Sequence, residues 1–329
     1  MLKKLTFLAL FGLSGHASAG QLNLQLEHIS LSGLSSGGYM ANQFHLAHSD
    51  WVDKVGIIAA GPYYCAQGSI KTALEQCVNK VLNPIDLPLL QQKAIEYEAS
   101  GKIAPLLNLK HSKVWLLHGT LDSKVHSQVS DMLYQQYQSF VETGQLQYIN
   151  DQAFAHHFPT QDYGSPCDQS NTPFLGNCQY DAAGAMLGYL FPDLAGKVAT
   201  PGGQIVELDQ QVLGGETASS LGDKAYAYVP ATCAKGESCQ LHISFHGCQQ
   251  NDQSVGRDYV EHNGLNNWAD SNHMVVLYPQ TKNSTFLPLN PQGCWDWWGY
   301  TDADYATRDG LQIKAVSQMA RNLAHYPLN

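Results

Sequence analysis

The run Gly33-Leu34-Ser35-Ser36-Gly37 constrains this chain more than any other feature. Leu26 to Leu31 alternates before it as a short strand does, and Tyr39 to His48 reads as a helix after it. Gly-x-Ser-x-Gly between a strand and a helix marks a turn so sharp that the flanking residues must lack bulk. Such a turn projects the Ser35 oxygen above a sheet. It also sets the next amide, Ser36 N–H, at a helix N-terminus, where it can stabilise an oxyanion. The competing reading is a glycine-rich structural turn.

The rest of the chain supplies partners for a serine nucleophile. Val55 to Ala60 and Val114 to Leu117 are apolar runs of the length of buried parallel strands. Leu146 to Ile149, Ile205 to Leu208, Ala225 to Val229, Leu241 to Phe245 and Met274 to Tyr278 read as further strands. Helical patterning falls at Leu87 to Tyr97, Ser127 to Thr143, Asp181 to Leu190, Tyr259 to Asn272 and Asp309 to His325. Strands alternating with helices predict an α/β fold with a mostly parallel central sheet flanked by helices. A serine needs a base to take its proton, and in an α/β-hydrolase the acid and base follow later strands in the order Ser, Asp, His. Asp122 follows the strand ending at Leu117, and His156 and His157 follow the strand ending at Ile149. One of the two histidines is expected to be structural. His45 and His48 read as surface or packing residues of the helix after Ser35.

An α/β-hydrolase normally has several strands before its nucleophile, whereas at most one precedes Ser35. A strand ending in His246-Gly247-Cys248, of the kind that supplies the second oxyanion amide ahead of the nucleophile, comes about 210 residues after it. Circular permutation accounts for both facts. The C-terminal strands become the first half of the usual order, residues 195–224 become a connector, and Cys248 N–H becomes the second oxyanion donor. The permuted order predicts one catalytic domain over residues 20–329, because the sheet is complete only when both halves pair.

Residues 1–19 read as a secretory signal peptide: Lys3 and Lys4, the apolar run Leu5 to Leu13, then Ala17-Ser18-Ala19 as the cleavage site. Export is expected to release a secreted chain, extracellular or periplasmic, starting near Gly20. No apolar stretch is long enough for a membrane anchor. The formal net charge of −10, without a basic run, argues against nucleic acid. Eight cysteines behind an export signal predict disulfides. Three pairs are close in sequence, Cys65 with Cys77, Cys167 with Cys178 and Cys233 with Cys239, which leaves Cys248 for Cys294. About 105 pairings are formally open. Metal binding is the rival use of cysteine, but neither Cys-x-x-Cys nor His-Glu-x-x-His spacing occurs. No metal or cofactor is expected, and a monomer is. The segment Gly293 to Tyr300 holds Trp295, Trp297, Trp298 and Tyr300, which read either as core or as a flat aromatic platform for an apolar substrate.

Four segments together resemble extracellular poly(3-hydroxybutyrate) depolymerases of the single-domain, circularly permuted type. They are Gly33 to Ala41, Ala155 to Thr160, Phe245 to Gln250 and Asn290 to Tyr300. The resemblance implies an esterase that cuts polyhydroxyalkanoate chains, polymer or oligomer, to short hydroxyacid oligomers. It implies Ser35 as nucleophile, Asp122 as acid, His156 as base by its place before x-Phe-Pro-Thr, and the Ser36 and Cys248 amides as oxyanion donors. A secreted feruloyl or acetyl-xylan esterase would share the fold and the serine turn. A non-catalytic polymer-binding protein on a hydrolase fold is the alternative from another class.

Overall fold

The computed structural model describes residues 21–79 and 82–327, so the signal peptide expected over 1–19 lies outside the described residues. Among them, one large sheet has strands β1 (Asn23–Leu34), β2 (Val52–Ile58), β3 (Lys113–Leu117), β4 (Leu146–Ile149), β5 (Gln204–Asp209), β6 (Lys224–Val229), β7 (Ser238–Phe245) and β8 (Met274–Tyr278). They lie in the order β4-β3-β2-β1-β7-β8-β6-β5. The six strands from β4 to β8 in that order are mutually parallel. β6 runs antiparallel to both β8 and β5.

This order is that of a circularly permuted α/β-hydrolase. Counting the strands from β5 to the C-terminus and back in at β1 gives 1-2-4-3-5-6-7-8 across the sheet. The strand that leads into Ser35, first in this chain, therefore sits at the centre. Its partner across the seam between the two halves is β7, with Leu31 opposite Ile243 and Gly33 opposite Phe245. That register brings the C-terminal ends of β1 and β7 together, and both end in turns that carry candidate site residues.

The apolar runs are continuous because the sheet is covered on both faces. In β3, Val114 and Leu116 join one core while Trp115 and Leu117 join the other. Val275 and Leu277 of β8 face the first core, and Met274, Val276 and Tyr278 the second. The first core is closed by α1 (Ser36–Ala47), α2 (Ser127–Gln138) and α4 (Leu311–Asn322), the second by α3 (Ala182–Leu190) with the short helix Leu265–Ser271. All of α1 is buried, which explains its lack of a polar stripe. His45 and His48 are therefore interior residues, not surface ones. His45 bonds Tyr137 Oη at 3.0 Å and Ser112 Oγ at 3.1 Å, and burial lowers its pKa to about 3.

A polar strip runs along the seam. Ser30 and Ser32 of β1 hold the two nitrogens of His242 of β7 at 2.7 and 2.8 Å. Burial lowers the His242 pKa to about 3, so a neutral imidazole is hydrogen-bonded at both ends and no buried charge is left unpaired.

Element bounds moved where local chemistry intervened. The helix expected over 259–272 is two, Asp258–His262 and Leu265–Ser271, parted by Gly264 at φ 85°. The helix after Ser127 stops at Gln138. The connector over 195–224 contains β5 and the helical turns Gln210–Gly214 and Gly215–Ser220. A second, three-stranded sheet of Phe158–Thr160, Leu175–Asn177 and Ser165–Pro166 was not expected; it packs beside the His156 loop. Disulfides join Cys65 to Cys77, Cys167 to Cys178, Cys233 to Cys239 and Cys248 to Cys294, the chemistry of an oxidising compartment. No helix among the described residues is long and apolar enough to cross a membrane.

Candidate active site

Ser35 is the single residue between β1 and α1, at φ 57° and ψ −122°. Side chains rarely adopt this region, and holding one there costs on the order of 1–3 kcal/mol. The turn is held by Ser35 N–H donating to the Ile58 carbonyl at 2.9 Å and Tyr39 N–H donating to the Ser35 carbonyl at 3.0 Å. The glycines are sterically required. A Cβ on Gly33 would overlap the Gly37 carbonyl, and one on Gly38 would meet Ala60 Cβ at 2.8 Å. A Cβ on Gly37 would overlap the backbone carbonyls of Phe245 and His246, with the Phe245 carbonyl carbon at 2.6 Å. Gly37 thus lets α1 press against the turn after β7. Gly37→Ala is expected to push these elements apart, destabilising the fold by about 3 kcal/mol through overpacking. A urea melt will show the midpoint fall; an unchanged midpoint would contradict the close approach.

Asp122 and His156 are brought together from the loops after β3 and β4. His156 Nδ1 lies 2.7 Å from Asp122 Oδ2. The Asp122 side chain is fully buried. Its other oxygen accepts the N–H groups of Lys124 and Val125 at 2.8 and 2.9 Å, which fixes the carboxylate within its own loop. Burial pushes the Asp122 pKa upward, but the charge and hydrogen bond of His156, with the Val125 N–H, bring it below the ordinary value. The carboxylate therefore stays ionised and holds the proton of His156 on Nδ1. His156 Nε2 has no hydrogen-bond partner among the described residues, and His156 and Ser35 line one cavity of about 470 Å³. His157 points elsewhere. Its Nδ1 bonds the Gln169 carbonyl at 3.1 Å and its Nε2 approaches Cys178 Sγ at 3.2 Å, against Gly176. His157, Cys167 and Cys178 cluster closely enough for a metal, but both sulfurs are consumed by their disulfide.

The turn after β7 lines the same cavity with Gly247, Cys248 and Gln249. His246 accepts the Thr281 N–H on Nε2 at 3.2 Å, which assigns its proton to Nδ1, 2.7 Å from the Gly247 carbonyl. Burial lowers the His246 pKa to about 4, so it donates as a neutral ring. The Gly247 and Gln249 N–H groups are also bonded, to Gln250 Oε1 and the Gln292 carbonyl. Among the described residues, the Ser36 and Cys248 N–H groups have no acceptor. Two free backbone donors thus flank the strands that present Ser35, as an oxyanion hole requires.

No family model matches the chain. It is 38% identical to a poly(3-hydroxybutyrate) depolymerase of Delftia acidovorans over 93% of its own length, and spans 62% of that relative. It is 33% identical to a polyhydroxybutyrate depolymerase of Talaromyces funiculosus, covering 89% of this chain and 88% of the relative. The chain belongs to the polyhydroxybutyrate depolymerase family. A crystal structure of PHB depolymerase from Penicillium funiculosum superposes with a TM-score of 0.86 at 31% identity, over 94% of this chain and all of that one. A Ser-to-Ala variant of PHB depolymerase complexed with R3HB trimer superposes equally well, at 30% identity.

Within this family fold, the tryptophan segment, open between core and platform in the sequence, contributes two of its rings to the core. Trp295 is fully buried between Phe245 and His246, and Trp297 is buried and stacked on Tyr39 at 4.2 Å. Both rings fill core beside α1. Trp298 and Tyr300 are half-buried and pack on each other, but neither lines the cavity. The Tyr300 hydroxyl is engaged with Asn290 and Gln312. The cavity is lined instead by residues the sequence did not single out, among them Leu74, Val78, Lys124, Ser170, Phe174 and Gln292. Burial is a tertiary property, and aromatic spacing alone carried no signal of it.

Proposed function

We propose that this chain is a secreted serine esterase that hydrolyses poly(3-hydroxybutyrate), or related short-chain polyhydroxyalkanoate, to hydroxyacid oligomers. The observation that carries the chemistry is the buried Asp122–His156 pair, whose free Nε2 shares a cavity with a strained, helix-capping Ser35. In this reading His156 takes the Ser35 proton as the serine attacks an ester carbonyl. The Ser36 and Cys248 amides stabilise the oxyanion. His156 then protonates the leaving alcohol, and water repeats the cycle on the acyl-enzyme. Residues 20–329 act as one catalytic domain, released by cleavage near Ala19.

The substrate class is supported by the named relatives, one of which holds an R3HB trimer. Surface chemistry also favours an insoluble polyester. Phe286 and Leu287, 83% and 95% exposed, stand on the loop that leads to Gln292 in the cavity wall. Leu74, 54% exposed, also lines the cavity. The test is release of soluble hydroxybutyrate oligomers from a polymer suspension. The expected result is clearing of the suspension with no ferulate or acetate released from plant cell wall; the reverse pattern would assign the chain to feruloyl or acetyl-xylan esterases.

A further inference from the structure

Gln250 is buried, 1% exposed, and makes no contact that the proposed chemistry uses directly. Its hydrogen bonds nevertheless join two segments that line the cavity. Its Oε1 accepts the Gly247 N–H at 2.8 Å. Its Nε2 donates to the carbonyls of Pro173 and Phe174, each at 3.0 Å. Gly247 and Cys248, from the turn after β7, and Phe174 and His156, from the loop after β4, all line that cavity.

The second segment is itself tied to the base. Ser170 Oγ donates to the His156 carbonyl at 2.7 Å, Phe174 N–H donates to the Asn171 carbonyl at 2.7 Å, and Phe158 N–H donates to the Phe174 carbonyl at 3.0 Å. The span from 170 to 174 is therefore bonded to the backbone on both sides of His157 and, through Gln250, to the turn after β7. Of the polar backbone groups around that turn, the Gly247 carbonyl is taken by His246 and the Gln249 N–H by Gln292. A trans peptide points its N–H opposite its carbonyl. The peptide that carries the Cys248 N–H is thus held at its oxygen by His246, and the peptides before and after it are held by Gln250 on the Gly247 N–H and by Gln292 on the Gln249 N–H.

We propose that Gln250 is a positioning residue that sets the distance and orientation between the Cys248 oxyanion donor and the His156 base. The proposal rests on the serine-esterase reading above. A primary amide is the one uncharged side chain of this length that accepts one bond and donates two. Glutamate lacks the donors and would face two carbonyls; methionine lacks all three bonds. Displacement of a catalytic group by about 1 Å is worth roughly 100-fold in rate.

The experiment compares Gln250→Met and Gln250→Glu with the unaltered chain on hydroxybutyrate trimer, each corrected for sites titrated by a fluorophosphonate. Gln250→Met is expected to lower kcat about 100-fold with KM within about threefold. Affinity for a boronic acid, which forms a tetrahedral adduct on serine, is expected to fall with kcat. Binding of trimer to the Ser35→Ala, Gln250→Met double variant is expected to match that to Ser35→Ala alone. A merely structural role would lower the fraction of titratable sites and leave kcat per site unchanged. If kcat per site stays within about threefold, or KM rises in step with the loss, the proposal is overturned. Should Gln250→Met not fold, Gln250→Glu decides by the same criterion, with a loss of about tenfold or more expected because it keeps only the Gly247 bond. Failure of the underlying reading looks different: the unaltered chain would not cleave trimer, or Ser35→Ala would.

Discussion

Ser35→Ala is expected to abolish ester hydrolysis while leaving the fold as it is. Without the hydroxyl there is no nucleophile and no acyl-enzyme, and in other serine hydrolases such a loss lowers kcat by about 10⁶. The variant is a clean test because alanine keeps Cβ. The φ of 57° at position 35 is as unfavourable for alanine as for serine, so the strain of the turn is carried unchanged. The hydrogen bonds that define the turn, Ser35 N–H to Ile58 and Tyr39 N–H to Ser35, come from the backbone and survive. The midpoint of thermal unfolding should move by no more than a degree or two, while fluorophosphonate labelling and hydroxybutyrate release vanish together. Residual turnover above about one part in a thousand of the original, in protein free of contaminating esterase, would remove Ser35 from the nucleophile's place.

The position of Ser35 in the chain is also what made the fold legible. A serine turn of this kind needs strands on both sides of its own, and only one could precede it. The His246-Gly247-Cys248 turn supplied the missing half from the far end of the sequence, and the sheet pairs β1 with β7 accordingly. The direction of β5 and β6 was not legible. Alternation along a strand carries no direction, and nothing in it says that Tyr228 pairs antiparallel with Val276. The small sheet around Phe158 escaped for a simpler reason: strands of two or three residues have no period to read. The tryptophans were visible as a cluster, but their burial depends on Phe245, His246 and Tyr39, which are distant in sequence from them. Gln250 falls in the segment Phe245 to Gln250 with no role legible in it, because a glutamine's use is set by what stands at both ends of its amide. Strand order points to Asp122 and to the pair His156 and His157, and only the resemblance, through x-Phe-Pro-Thr, separates the two histidines; the structure adds the 2.7 Å contact between His156 and Asp122.

That contact sets the second large effect. Asp122→Asn is expected to lower kcat by about 10⁴ with a KM change of only a few-fold. The loop around Asp122 tolerates the change, because an amide oxygen can still accept the Lys124 and Val125 N–H groups. What changes is the atom facing His156. An amide nitrogen donates to Nδ1, so the ring's proton moves to Nε2, the nitrogen that must accept from Ser35. The base is then present, in place and in the wrong tautomer. Fluorophosphonate labelling should slow in parallel with kcat, since phosphonylation needs the same deprotonation. Stability should respond to pH with a definite sign. The Asp122 pKa is lowered in the folded chain, so its carboxylate stabilises the fold above the ordinary carboxylate value of about 3.9 and loses that contribution as pH falls through the lower folded value. The difference in unfolding midpoint between the unaltered chain and Asp122→Asn should therefore be largest near neutral pH and shrink on acidification. A difference that grows toward acid, or a kcat within tenfold of the original, would show that Asp122 neither holds the tautomer nor carries a charge that His156 needs.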